Sequence, residues 1–385
     1  MEAALDPFTS EQVERARRYH RPLYRTFGFD LVLGFATLSV LSFTEWGDAL
    51  YGFLAPFAWW GRALAFTGLT VTISSVVRLP LSFWRGYLHE KQWGFSTQNV
   101  KGWLSDRMKG LAVGIVLTSV MMGGFVALAR WFPHSWPFVT AIAGAVFILV
   151  LSFVAPVILE PIFNRFQPLE DEAFVAELRG LADRAGVPVR DVLVADASRR
   201  TKKENAYVSG LGKTRRVVLY DTLLRRADHR QTSLVVAHEL GHRRKRHVAK
   251  GTIVGMAGMA LGVGVLWAVF QPDPVLRAIG AGGPGDPRVI PFVLLAAGIM
   301  QLVAAPFETA LSRRWETDAD HFSLEMTGDL DVFERSHRDL ALSNLSDLDP
   351  PRFLYLMAFT HPTAPERIAA ARTWAGPGGV ATASQ

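Results

Sequence analysis

The sequence contains no cysteine among its 385 residues. This absence excludes disulfides, thiolate nucleophiles and cysteine-based metal sites, so any bound metal must be held by histidine and carboxylate side chains. Charge is also scarce, because only 20% of the residues are charged while 50% are hydrophobic, and the mean hydropathy is +0.19. Soluble globular proteins usually carry more charge than this. The composition therefore favours a membrane protein.

Six apolar segments run along the chain, most of them close to the length of about 20 residues that a helix needs to cross a bilayer. The first is short, and an aromatic-rich stretch at 53–60, before the second, is typical of an interfacial belt. Six buried helices of a large soluble protein are the alternative, but they would need more polar sequence to cover them. No small-residue cleavage site follows the first segment, so we expect no removed signal peptide. The segments are residues 31–43, 63–81, 111–129, 138–159, 253–270 and 289–307.

Lysine and arginine concentrate in the stretches that six spans would place on one side of the membrane. The turns expected on the other side carry very few of them. The positive-inside rule assigns the basic side to the cytoplasm, which predicts a multi-pass protein of the plasma or inner membrane. The net charge of +6 includes a basic run at 243–246, which we expect at the lipid headgroups. That run has no interleaved aromatic residues, so we do not expect a nucleic-acid partner.

The one sizeable polar insertion lies at 164–250. Apolar residues at helical spacing predict a helix over 170–185, and β-branched runs predict strands at 189–194, 206–209 and 216–220. Gly210 and Gly212 suit a turn between the last two strands. The free edge of such a small sheet could bind an extended peptide by strand addition. An ordinary α+β insertion without a ligand is the alternative.

The segment 234–247, LVVAHELGHRRKRH, is the clearest site of chemistry. His238 and His242 are four residues apart, so on a helix they stack on one face and can bind one zinc ion. Glu239, between them, can reach a water on that metal and act as general base. Gly241 would permit close backbone packing beside the metal. The alternative is a chance occurrence of H-E-x-x-H on an amphipathic helix with two packed histidines.

A catalytic zinc site needs a third protein ligand. His247 is a poor choice, since its offset of five residues from His242 turns it off the ligand face and its neighbours are mostly basic. The segment SRRWETDAD at 312–320 offers a better one, because Glu316 and Asp320 share a helical face. Glu316 can then bind the metal while Asp320 orients a histidine ligand. The alternative is a solvated juxtamembrane helix whose acids pair with neighbouring arginines.

The chain resembles the type I CAAX prenyl protease family, the integral membrane zinc metalloproteases of the a-factor-converting type. The resemblance rests on five segments in the expected order: EPIFNRFQPLED, ASRRTKKENAYVSGLGKTRRVVLYDTLL, HELGH, SRRWETDAD and HPTAPERI. It implies a mainly α polytopic fold, with about six transmembrane helices and a small α+β zinc metalloprotease domain of gluzincin type. We expect four parts: four spans in 1–163, the cytoplasmic insertion and zinc helix in 164–250, two spans in 251–308, and the glutamate-ligand helix with a C-terminal helical segment in 309–385.

The resemblance also implies roles for individual residues. One Zn²⁺ per chain would be bound by His238, His242 and Glu316, with Glu239 as the base. Substrate would be held by Asn205 and Tyr207 of the Asn-Ala-Tyr element. His361 would stabilise the oxyanion, and Arg367 would either brace the site or pair with an acidic group behind the ligands, beside the role that spacing already gives Asp320. For His361 and Arg367 the alternatives are a turn residue and a C-terminal salt bridge.

Two features depart from the family. Lys203 stands where members usually have a histidine, and the eukaryotic relatives have seven spans. The implied activity is hydrolysis of peptide bonds near the C-terminus of CAAX-like or membrane-associated substrates, with or without a prenyl group, at the bilayer. The alternatives are an HtpX-like quality-control protease, an intramembrane site-2 type protease, and a non-enzymatic scaffold or transporter with a vestigial metal site. The long N-terminal half argues against the first, and the basic run beside the ligands argues against the second.

Overall fold

The membrane half of the protein is a bundle of long apolar helices. The computed structural model describes residues 5–210 and 212–376. Within them, five helices are long and apolar enough to cross a membrane, or six if a pair bent by 58° counts as one span. This confirms the predicted polytopic fold. The helices are α1 (Ser10–Phe43), α2 (Glu45–Gly52), α3 (Trp59–Val77), α4 (Leu79–Phe83), α5 (Glu90–Gln92), α6 (Val100–Trp131), α7 (Trp136–Val154) and α8 (Glu160–Phe163), with π-helical turns at Trp84–His89 and Ala155–Leu159.

The bent pair is the predicted second span. It consists of α3 and the continuation Leu79–Gln92, which meet at Arg78. Pro80 lies in the first turn of α4. A proline there removes a backbone donor and restricts the residue before it, so the helix bends instead of continuing.

The polar insertion folds as a small α+β unit with a four-stranded sheet in the order β1-β2-β4-β3. β2 and β4 are parallel, whereas β1 and β3 pair antiparallel with their neighbours. The three predicted strands are present, and Gly210 and Gly212 take the positive φ angles of the turn between β3 and β4. The sequence analysis missed β1, which has three residues and ends in proline. The elements are β1 (Phe166–Pro168), α9 (Glu172–Arg184), β2 (Asp191–Ala195), β3 (Ala206–Ser209), β4 (Arg216–Tyr220), α10 (Asp221–Leu224) and α11 (His229–Arg244).

The C-terminal part returns to the membrane twice and then packs on the insertion. Its long helix α14 has 38 residues, so the predicted sixth span and the predicted acidic helix are one continuous element. From the sequence they were predicted as two elements, because the apolar run ends at residue 307 and charged residues follow it. The elements are α12 (His247–Phe270), α13 (Pro274–Ala278), α14 (Ile290–Thr327), α15 (Leu330–Ser343), α16 (Arg352–Ala358) and α17 (Ala364–Ala375).

Helix α11 is held against both the sheet and α14. Asp228 caps its first turn in a reciprocal capping box with Gln231. Val236, Ala237 and Leu240 are buried in the core that α11 shares with the sheet and α9. On the α14 side, a Cβ on Gly241 would lie 3.2 Å from the Cα of Ala319. The absence of a side chain at Gly241 therefore permits the close crossing that brings the two helices' polar residues together.

Candidate metal centre

Three side chains from α11 and α14 converge on one point. The Nε2 atoms of His238 and His242 are 3.1 Å apart, and each lies 3.3 Å from an oxygen of Glu316. Together these residues form a group of donor atoms able to hold one metal ion. Two ligand atoms of a tetrahedral zinc site lie roughly 3.3 Å apart when the metal–ligand bonds are about 2.0–2.1 Å. The donor set and its spacing therefore fit zinc.

The electrostatics of this group also fit a bound cation. The Oε2 atom of Glu316 is buried and makes no hydrogen bond to the described residues. Leaving a buried carboxylate oxygen unpartnered costs free energy unless a cation compensates it. Burial lowers the pKa of His238, but the adjacent carboxylates of Asp320 and Glu316 outweigh this effect and raise the pKa to about 9. The site therefore favours positive charge at the point where the three side chains meet.

A second layer of contacts fixes the first histidine. The Nδ1 atom of His238 lies 2.9 Å from Oδ1 of Asp320. Arg367, from α17, donates to both oxygens of Asp320, with an Nε–Oδ2 distance of 2.8 Å. A carboxylate on the far nitrogen of a metal-binding imidazole fixes its tautomer and ring orientation. The structure thus brings Asp320 and Arg367 to the side of His238 that faces away from Glu316.

His242 is held by His247, which was rejected as a metal ligand from the sequence. The Nδ1 atom of His247 lies 3.0 Å from that of His242, and the His247 ring stacks on Trp315. The offset of five residues does not keep His247 away from His242, because the helix is not continuous. Arg246 has φ 59°, in the left-handed region, and separates α11 from α12. This turn returns His247 to the site, although it is not among the three metal-donor residues.

A cleft of about 510 Å³ opens beside the donor atoms and is walled by α11, the start of β3, α15 and the 358–364 loop. Glu239 lies on this cleft, and burial raises the pKa of its carboxyl group. The exposed His361 places Nε2 at 3.3 Å from Oε1 of Glu316. Asn205 and Ala206 also line this cleft. A possible base (Glu239), a possible hydrogen-bond donor (His361) and the start of β3 therefore lie around one cleft, next to the atoms that could bind a metal.

Two of the sequence-derived positions lie elsewhere. Tyr207 is not among the described residues that line the cleft, and its ring packs edge-on against Tyr220. Successive residues of a strand face opposite sides of the sheet, and Ala206 and Val208 take the side that is buried against α11. The expected substrate contact of Tyr207 is therefore not supported by its position.

Lys203 also points away from the cleft. Its Nζ lies 3.0 Å from Oε2 of Glu90 and 2.8 Å from the hydroxyl of Tyr19, so it links the insertion to the membrane half. Lys203 therefore connects two parts of the protein and contacts none of the three metal-donor residues.

Comparison with known proteins gives a consistent result. A family model for peptidase family M48 matches residues 168–375, and a model described as the CAAX prenyl protease N-terminal region with five membrane helices matches residues 2–165. The chain is 29% identical over 313 residues to the uncharacterized metalloprotease YhfN of Bacillus subtilis, covering 80% of this chain and 72% of that protein. It is 28% identical over 325 residues to CAAX prenyl protease 1 of Saccharomyces cerevisiae, with the same coverage of 80% and 72%. The crystal structure of S. mikatae Ste24p superposes with a TM-score of 0.81 at 25% identity, covering 95% of this chain and 90% of that one.

Proposed function

The chain belongs to peptidase family M48 and is a multi-pass membrane metalloprotease, and on this premise we propose that it is a zinc endopeptidase in which Glu239 is the general base. The observation that carries the proposal is the convergence of His238, His242 and Glu316, with Glu239 on the adjoining cleft. We assign the three converging residues as the zinc ligands. Zinc bound there would act as a Lewis acid and make water a stronger acid.

The protein's own residues then have separate tasks. Glu239 takes a proton from water as that water attacks the peptide carbonyl, and later returns the proton to the leaving amine. Burial raises the pKa of the Glu239 carboxyl group above its usual value, which makes its carboxylate a stronger base toward the attacking water. His361 is placed to donate to the developing oxyanion. Asp320 and Arg367 hold His238 in its ligating orientation.

The substrate is held by the edge of the small sheet. β3 is the outer strand, and its start lies on the cleft beside Glu239. An extended peptide can pair with such an edge through its backbone, with Asn205 as a side-chain contact. This geometry favours a protein segment in extended form over a folded one.

We assign cleavage near the C-terminus of CAAX-like, membrane-associated proteins as the reaction. The relatives named CAAX prenyl protease 1, and the match of the N-terminal membrane model over residues 2–165, support this assignment over that of an HtpX-like quality-control protease. The basic stretches favour an active site on the cytoplasmic side of the plasma or inner membrane. Incubating the purified protein with prenylated and unprenylated copies of one C-terminal peptide tests this assignment: cleavage of either copy near its C-terminus supports it, and cleavage of neither copy would contradict it.

The mechanism is tested by Glu239→Gln. We expect this variant to retain one zinc per chain and to lose peptidase activity by a factor of at least about 10³, because the amide cannot accept the proton. The measurement is zinc content together with cleavage of a fluorogenic peptide by the purified protein. The matched control is Glu325→Gln, an exposed position on α14, which should keep both zinc and activity. Full activity in Glu239→Gln would exclude this residue as the base.

A further inference from the structure

The free edge of β3 follows a regular alternation of hydrogen bonds. The N–H of Tyr220 donates to the C=O of Asn205 at 3.0 Å, and the register continues with Ala206 opposite Leu219. In an antiparallel pair, alternate residues bond to the partner strand. Odd-numbered residues from 205 to 209 therefore bond to β4. Even-numbered residues from 204 to 208 present their N–H and C=O groups to the free edge, where a peptide would bind.

The first of these outward pairs is already occupied by a side chain. The N–H of Glu204 donates to Oδ1 of Asn344 at 2.9 Å, and Nδ2 of Asn344 donates to the C=O of Glu204 at 3.1 Å. The amide of Asn344 thus makes the two hydrogen bonds that the next residue of an added strand would make. Asn344 lies at the C-terminal cap of α15 and lines the same cleft as Glu239.

The other end of the edge is also occupied. A guanidinium nitrogen of Arg243 donates to the C=O of Val208. Between Asn344 and Arg243, the outward N–H of Ala206 bonds at 3.0 Å only to the side chain of its exposed neighbour Asn205, which a peptide can displace. Among the described residues, neither the C=O of Ala206 nor the N–H of Val208 makes a hydrogen bond. The accessible edge is therefore short.

We propose that Asn344 determines how far a bound peptide extends past the cleft, by closing the Glu204 position to backbone pairing. The inference rests on the proposed function and names a specificity-determining residue for it. A peptide added antiparallel to β3, the commoner arrangement, runs with its C-terminal residues toward Glu204. Asn344 thus limits the number of residues after the scissile bond that β3 can hold, which suits removal of a short C-terminal piece.

The test uses two nested series of internally quenched peptides that share one scissile bond. One series grows by single residues on the C-terminal side, and the other grows on the N-terminal side. For the zinc-loaded full-length protein, kcat/KM should stop rising at a short C-terminal length. In Asn344→Ala the rise should continue for about two further residues, since alternate residues face the edge. The ratio of kcat/KM between the longest and shortest members should increase roughly five- to tenfold, the effect of one added pair of backbone hydrogen bonds.

Two further variants and the N-terminal peptide series keep the outcomes distinct. Asn344→Asp retains the acceptor for the Glu204 N–H and loses the donor to the Glu204 C=O. Its ratio of kcat/KM between the longest and shortest peptides should therefore lie between those of the wild type and Asn344→Ala. This variant replaces Asn344→Ala if the alanine variant does not fold. Ser346→Ala, on the same cleft wall, should keep the wild-type length at which kcat/KM levels off. An unchanged levelling length in both Asn344 variants, or a change in the N-terminal series alone, would overturn the proposal. If the wild-type protein cleaves no peptide at all, the proposed function itself fails and the inference falls with it.

Discussion

At the scale of single residues, Asp320 is the contact most open to experiment. It binds the far nitrogen of His238 and is itself held by Arg367. Replacing it with asparagine removes the charge that favours the ligating tautomer, and leaves a buried guanidinium unpaired. We expect Asp320→Asn to weaken zinc binding by about 10- to 100-fold, measured by competition with a chelator.

The control for this prediction is Asp318→Asn. Asp318 is on the same helix but exposed, and its only ion-pair contact among the described residues is a distant one to His247 at 3.7 Å. We expect it to change zinc affinity by less than about threefold. An equal loss of zinc affinity in both variants would mean that zinc binding depends on nearby negative charge in general and not on the contact between Asp320 and His238.

For single residues, the candidate metal-donor residues could be predicted from the sequence, whereas contacts that depend on the path of the backbone could not. The spacing of His238 and His242 and the choice of Glu316 follow from helical periodicity, because all three lie inside regular helices. His247 is not among the three metal-donor residues, but its contact with His242 was not predicted, because the left-handed residue Arg246 interrupts the helix and nothing in a run of basic residues signals such a turn. Asn344 carried no signal either, since its function depends on a strand end 140 positions earlier.

At the scale of elements, the site depends on how closely α11 crosses α14. Gly241 is in contact with Phe322 and Ala319, so a larger side chain must push the helices apart. We expect Gly241→Val to cost about 1–3 kcal/mol of stability and to lower zinc occupancy, because His238 and Glu316 separate. Thermal unfolding in detergent and zinc content are the measurements.

The matched control is Gly258→Val on α12, where a Cβ would meet no atom within 4 Å. This variant should unfold close to the wild-type temperature and keep its zinc. If Gly241→Val behaves like the control, the close crossing is not what places the donor atoms.

Element boundaries were harder to predict than element types. Apolar runs located every span, but α1 extends back to Ser10 through a polar, arginine-rich stretch that hydropathy does not assign to a span. The strands with β-branched residues were found, whereas β1, with three residues, has too few for any periodicity. Local pattern therefore identified the elements that carry a long apolar run or several β-branched residues of their own. It missed those that tertiary contacts stabilise.

At the scale of the whole molecule, the account requires one orientation in the membrane. The absence of cysteine makes single-cysteine labelling straightforward. We expect Asp273→Cys, in the exposed loop after α12, to react with an impermeant maleimide on intact cells. Glu172→Cys, exposed at the start of α9, should react only after permeabilisation. Labelling of the second variant on intact cells would place the active site outside the cytoplasm.

The most direct test of the account is anomalous diffraction at the zinc edge from crystals of the zinc-loaded protein. We predict one strong peak, roughly 2.0–2.2 Å from Nε2 of His238, Nε2 of His242 and a carboxylate oxygen of Glu316, and its loss in crystals of Glu316→Gln. A peak bound by other residues, or no peak near the two histidines, would contradict the assignment of this site.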